Sequence, residues 1–152
     1  MIFKTGLFIH MIGIFLIAGG SIGTIITESL FWKNIKQNSE KSRALVPLLL
    51  RFPPILVTGA MLLLVSGLLM LYGLNWIYWG QTWLTIKLFL FLLIVLNGRL
   101  HGRPIFYKIA GEAQLPKPST EKLFALKNKI RRFHIIQFFM LFAVIALVIF
   151  KL

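Results

Sequence analysis

Apolar residues run along this chain in four long blocks rather than in the short amphipathic stripes of a soluble fold. The blocks fall near residues 5–27, 54–73, 83–100 and 133–150. Each approaches the ~20 residues that an α-helix needs to cross ~30 Å of hydrocarbon. A chain in lipid must satisfy its backbone hydrogen bonds internally, so each block predicts a spanning helix. Pro53-Pro54 suits the first turn of the second helix. Gly73, Asn75 and Gly80 interrupt the chain after it, Gly102 and Pro104 close the third block, and Lys151 ends the fourth. The first block exceeds a signal-peptide core and no A-x-A site follows it, so a retained helix is expected. Ahead of the fourth block, Ser119 or Thr120 can cap a helix with Glu121 in its first turn. Leu123, Leu126, Ile130 and Phe133 follow at helical spacing. They predict a short amphipathic helix that lies on the headgroups or runs into the fourth span.

Composition narrows the class. Of 152 residues, 58% are hydrophobic, which is too apolar for a soluble domain. The 17 Lys and Arg outweigh four Glu to give a net charge of +13. Such charge by itself would suggest nucleic acid. In a chain this apolar, a bilayer with anionic headgroups is the simpler partner, and no nucleic acid is expected.

The charge is also unevenly placed. Residues 28–51 hold Lys33, Lys36, Lys41, Arg43 and Arg51, and residues 99–132 hold nine further Lys and Arg. Residues 74–82 hold none, and the termini carry only Lys4 and Lys151. The positive-inside rule makes both basic connections cytoplasmic, with both termini and the 74–82 turn outside. Trp76, Tyr78, Trp79 and Trp83 crowd that turn as an interfacial aromatic belt. The expected fold is therefore an all-α, polytopic four-transmembrane-helix bundle, N-out/C-out. It forms one membrane domain over 1–152, with basic cytoplasmic connections 28–53 and 101–132.

With no cysteine, the chain has no disulfide, thiolate metal site, iron–sulfur cluster or covalent haem attachment. Non-covalent haem needs only a nitrogen or other axial ligand. Paired intramembrane carboxylates and H-E-x-x-H are both missing, which disfavours hydrolysis. Met11, Met61, Met70 and Met140 are scattered and read as core filler rather than a copper path.

Polar residues within the spans are few enough to weigh singly. His10 shares a helix face with Gly13, Ile14, Ile17, Gly20 or Ser21, and Thr24, a small-residue face suited to packing against another helix. Gly19-x-x-x-Gly23 gives a second small pair on a neighbouring face. His10 is a candidate haem-iron ligand; its bland role is a hydrogen bond to a neighbouring helix or the headgroups. Lys87 lies four residues after Trp83, where its stem can carry the ammonium to the outer headgroups. Counted from the outer ends of their helices, His10 and Lys87 come out at similar depth. If those helices are neighbours, Lys87 can pair with the carboxylate of a haem or porphyrin held by His10. His101 and His134 sit among arginines at the cytoplasmic boundary, interfacial by position and weaker candidates for a bis-histidine haem. Gln137, one turn on, can bond to His134 or to a headgroup.

The order of these features resembles the HemJ-type protoporphyrinogen IX oxidases and the related CopD-like membrane domains. "FIHMIGIFLIAGG" is similar to that family's first-span histidine and glycine-rich half, and "LLLRFPPILVTGAMLLLVSGLLML" to its Arg, Pro and second span. "WLTIKLFLFLLIVLNG" is similar to its Trp-then-Lys third span, and "FFMLFAVIALVIFKL" to its last helix. Thr85 stands where that family often has a histidine, and "FHIIQ" replaces the polar segment near its last span. The resemblance implies a bacterial inner-membrane protein that binds haem b, oxidises a porphyrin substrate and passes electrons to a respiratory acceptor. It implies His10 as the haem-iron ligand and Lys87 as the catalytic or propionate-pairing cation, with Arg51 as a further cofactor-binding residue.

The reading of a different class is a non-catalytic accessory subunit of a larger membrane complex, for which small-residue faces and a basic side are also suited. Either protein would be a homo-oligomer or a complex subunit. A copper-import component lacks a ligand cluster and ranks last.

Overall fold

The computed structural model describes residues 1–35 and 39–150. Expectations placed on Lys36 and Lys151 lie outside the described residues. Every regular element among the described residues is helical: α1 Ile2–Asn34, α2 Ser39–Gly73, α3 Thr82–Asn97, a π-helical turn Gly98–Gly102, α4 Arg103–Gln114 and α5 Thr120–Phe150. Among the described residues, four helical stretches are long and apolar enough to cross a membrane: Ile2–Asn34, Glu40–Gly73, Thr82–Gln114 and Thr120–Phe150. The chain forms two compact units, Met1–Tyr78 and Trp79–Leu152.

The first unit is an antiparallel pair of α1 and α2, closed along a line of small residues. Gly6, Gly13, Gly20 and Thr27 of α1 are all buried. Their seven-residue interval returns the same face to the partner every two turns. Gly6 meets Met70, Gly13 meets Gly59 and Leu63, Gly20 meets Leu56, and Gly23 meets Phe52. A Cβ placed on Gly13 would lie 3.0 Å from the Gly59 carbonyl oxygen, and one on Gly59 would lie 3.1 Å from the Gly13 oxygen. The two backbones thus touch, which is how membrane helices gain packing energy where lipid offers no hydrophobic drive. Further along, Phe31, Val46 and Leu49 fill the seam.

At the other end the chain leaves α2 through a tight turn. Asn75 and Trp76 take positive φ values of 50° and 57°, a conformation uncommon for a bulky residue. Two backbone bonds hold it, Trp76 N–H to the Leu71 oxygen and Asn75 N–H to the Tyr72 oxygen, both at 3.0 Å. Trp76, Tyr78 and Trp79 are exposed around this turn, as an aromatic belt requires.

The second unit pairs the α3–α4 stretch with α5. Phe106, Ile109, Ala110 and Ala113 of α4 are buried, as are Leu123 and Ile130 of α5. Gly102 lies against the Phe133 ring.

Helix ends differ from the pattern read from hydropathy. Residues 28–34 and 39–53, expected as connection, continue α1 and α2, and Pro47, Pro53 and Pro54 lie inside α2 rather than at its start. Hydropathy reports where lipid demands apolar side chains, whereas backbone hydrogen bonding carries the helix on into the interface. Prolines within a membrane helix are tolerated where neighbouring helices support it. Here Phe52, Ile55 and Leu56 pack on α1.

Gly102 and Pro104 likewise do not end the third span. The Arg103 N–H donates to the Gly98 carbonyl, five residues back, and helix resumes with Pro104 in its first turn. A proline ring clashes with the carbonyl four residues earlier, so the wider π turn accommodates Pro104 without stopping the helix. The amphipathic segment after Ser119 runs into the fourth span as one continuous α5.

Candidate functional site

His10 and Ser66 form the clearest polar contact inside the apolar blocks. His10 stands on α1 one turn before Gly13, and its half-buried ring faces α2. Its Nδ1 lies 2.9 Å from Ser66 Oγ. Ser66 is fully buried, and its hydroxyl donates to the Leu63 carbonyl at 3.1 Å. The Ser66 hydroxyl thus anchors one ring nitrogen of His10. In metal-binding histidines a hydrogen bond of this kind orients the ring.

The glycine seam explains why the helices approach closely enough for this bond. Gly6 lies against Ser66 and Met70, one turn from His10, and Gly13 against Leu63 and Gly59, one turn on the other side. Of the face expected around His10, Gly13, Gly20 and Thr24 are buried, Ile17 meets Gly59, and Ile14 is exposed. In the second pair, Gly19 meets nothing while Gly23 packs on Phe52.

The remaining candidates are more dispersed. Lys87 is half-buried on α3, in the second unit. Arg51 is exposed on α2, within the helix rather than ahead of it. His101 is exposed on the π turn. His134 is half-buried, its ring 5.4 Å from Phe133 and 6.4 Å from Phe106 by centroids, an aromatic packing environment. Gln137 pairs with Asn97 rather than with His134: the Asn97 amide donates to Gln137 Oε1 at 2.9 Å, and Gln137 Nε2 donates to the Ile94 carbonyl at 3.4 Å. An amide facing another helix in an apolar setting finds its partner there, and this pair joins α3 to α5.

Two polar positions were not singled out from the sequence. Ser66 is one small hydroxyl in an apolar run, and its partner is 56 residues away, beyond any local pattern. Glu28 is buried on the α1 seam and accepts the Trp32 indole N–H at 3.0 Å. Its signal was present in the sequence, since it is one of only four acidic residues and borders the first apolar block.

Among the described residues, no group of three or more His, Cys, Asp or Glu could hold a metal ion. Any metal bound through His10 would therefore take its remaining ligands from elsewhere, as the iron of a porphyrin does. Comparison with known proteins agrees with the membrane reading: residues 5–152 match the family described as "Predicted integral membrane protein (DUF2269)". No curated protein and no solved structure matches the chain.

Proposed function

The chain belongs to the DUF2269 family of predicted integral membrane proteins, and we propose that it is a haem-b-binding redox protein of the bacterial inner membrane, similar in kind to the HemJ-type protoporphyrinogen IX oxidases. The observation supporting this reading is the His10–Ser66 pair. An imidazole anchored through Nδ1 to a buried hydroxyl would hold the iron of a porphyrin through its other ring nitrogen. The α1–α2 seam is closed by the Gly13–Gly59 contact. When bound, haem b supplies one-electron redox chemistry.

The chain's own residues hold and orient. His10 provides the ligand nitrogen, and Ser66 holds its ring. Lys87 offers a cation to a carboxylate within the second unit, and Arg51 one at the far end of the α1–α2 seam, about 20 Å of helix from His10. His101 and His134 rank below His10, because His134 is engaged in aromatic packing. The membrane placement is N-out/C-out, with the basic segments in the cytoplasm. The small-residue face that also suits an accessory subunit is taken up by α2 within the first unit, which favours the redox reading.

The test is the absorption spectrum of the purified protein after expression with haem available. A Soret band in the wild type that is lost in His10→Ala is expected. A colourless wild type, or an unchanged band in His10→Ala, overturns the assignment.

A further inference from the structure

The antiparallel α4–α5 pair closes one face and leaves another open. Beside its buried seam lies a groove of about 340 Å³ lined by Lys108 and Glu112 of α4 and by Lys122, Ala125, Leu126 and Lys129 of α5. The register makes this inevitable. Positions 122, 125, 126 and 129 recur at i, i+3, i+4 and i+7, and 108 and 112 at i and i+4, so each set occupies one helix face. Three lysines therefore line one open groove together with Ala125 and Leu126. Glu112 is the single acid in the lining, and its Oε1 already accepts the Ser119 N–H at 3.0 Å, which ties it to the turn into α5. Three cations against one engaged carboxylate leave an excess of positive charge that a bound anion would neutralise.

The position of the groove selects the kind of anion. The apolar part of α5 begins near Phe133. At ~1.5 Å per residue, Lys129 stands ~6 Å and Lys122 ~17 Å along the axis from that boundary. The first distance falls in the headgroup layer of a bilayer ~40–45 Å thick overall, and the second lies on its aqueous side. A multiply charged phosphate held there would meet Lys129 from the membrane side and Lys122 from the aqueous side, with Lys108 across the groove.

We propose that the α4–α5 groove is a specific site for a phosphate-bearing anion, bound by Lys108, Lys122 and Lys129, and that its source is the headgroup of an acidic phospholipid. The site differs from general attraction of a basic surface to a membrane because three particular lysines share one cavity while other basic residues of the same segment lie outside it.

The full-length protein in neutral detergent is titrated with cardiolipin, or with inorganic pyrophosphate, and bound ligand is counted by native mass spectrometry. The variant K108Q/K122Q/K129Q is compared with K117Q/K127Q/R131Q, which loses the same charge outside the groove. Circular dichroism checks folding, and the single variants K122Q and K129Q serve if the triple variant does not fold. Wild type and control are expected to retain cardiolipin, with the groove variant binding it about tenfold more weakly than the control. Equal weakening in both triple variants, or none in the groove variant, overturns the site. Groove-dependent binding of pyrophosphate without cardiolipin keeps the phosphate chemistry and overturns the lipid source.

Discussion

His10 and Ser66 stand 56 positions apart in the chain and 2.9 Å apart in the fold. That bond crosses from α1 to α2 and anchors the imidazole through Nδ1. Ser66→Ala leaves the seam packed but removes the hydrogen-bond partner of Nδ1. The expected loss in stability is about 1 kcal/mol, the usual scale for an interhelical hydrogen bond in a membrane protein. Thermal unfolding in detergent measures it. With haem bound, the same change is expected to broaden the Soret band without abolishing it, whereas His10→Ala abolishes it. An identical spectrum in Ser66→Ala and wild type would show that Ser66 does not orient the ligand.

The Gly13–Gly59 contact predicts a sharp positional difference. Gly59→Val brings a side chain against Ile17 and the Gly13 oxygen, and overpacking of this kind costs about 1–3 kcal/mol. Gly19 meets nothing within 4 Å, so Gly19→Ala should be neutral or slightly stabilising in an exposed helix interior. Melting temperatures of the two variants decide the point, and equal destabilisation would count against the seam.

Lys87→Met separates a working cation from an anchoring one. If Lys87 pairs with a porphyrin carboxylate, affinity for haem or porphyrin falls about tenfold, the scale of one charge-assisted hydrogen bond. If its ammonium only reaches for headgroups, affinity stays at the wild-type value. Titration of the purified protein with haem, followed at the Soret band, reads the difference.

Asn97 and Gln137 should be energetically coupled. A double-mutant cycle of Asn97→Ala and Gln137→Ala is expected to give an interaction energy of about 0.6–1.7 kcal/mol, the range of measured interhelical hydrogen bonds in membranes. Strict additivity would mean that the amide pair contributes nothing to joining α3 and α5.

Orientation can be tested cleanly, because the natural chain has no cysteine. Gln81→Cys, in the aromatic turn, is expected to react with a membrane-impermeant maleimide on intact spheroplasts. Lys117→Cys, in the basic segment, is expected to react only after lysis. The reverse pattern would invert the positive-inside assignment.

The four apolar blocks were legible because lipid imposes them: a span must be apolar over about 20 residues. Their ends were not. The basic residues after Thr27 read as connection and Pro53-Pro54 as the opening of the second helix, yet the helices run through both. Charged side chains leave the hydrocarbon without breaking backbone hydrogen bonds, so hydropathy and helicity end at different places. Pro104 misled for a related reason, since the turn at Gly98–Gly102 absorbs its steric demand. The Gly13, Gly20 and Thr24 face was visible from helical periodicity, and Gly6 lies one seven-residue step earlier on the same line.

The sequence by itself determined the class of protein, the number of spans and the unequal charge of the connections, because each follows from composition counted along the chain. It also offered His10 as a candidate, from one imidazole in an apolar block. Tertiary structure decided what His10 touches, which of two glycines, Gly19 or Gly20, is buried, and that Gln137 joins Asn97 rather than His134. The physical reason is common to all three. A helix face is fixed by local periodicity, but the residue opposite depends on the register between two helices. That register is set by where backbones can touch, and no local stretch of sequence contains both sides of such a contact.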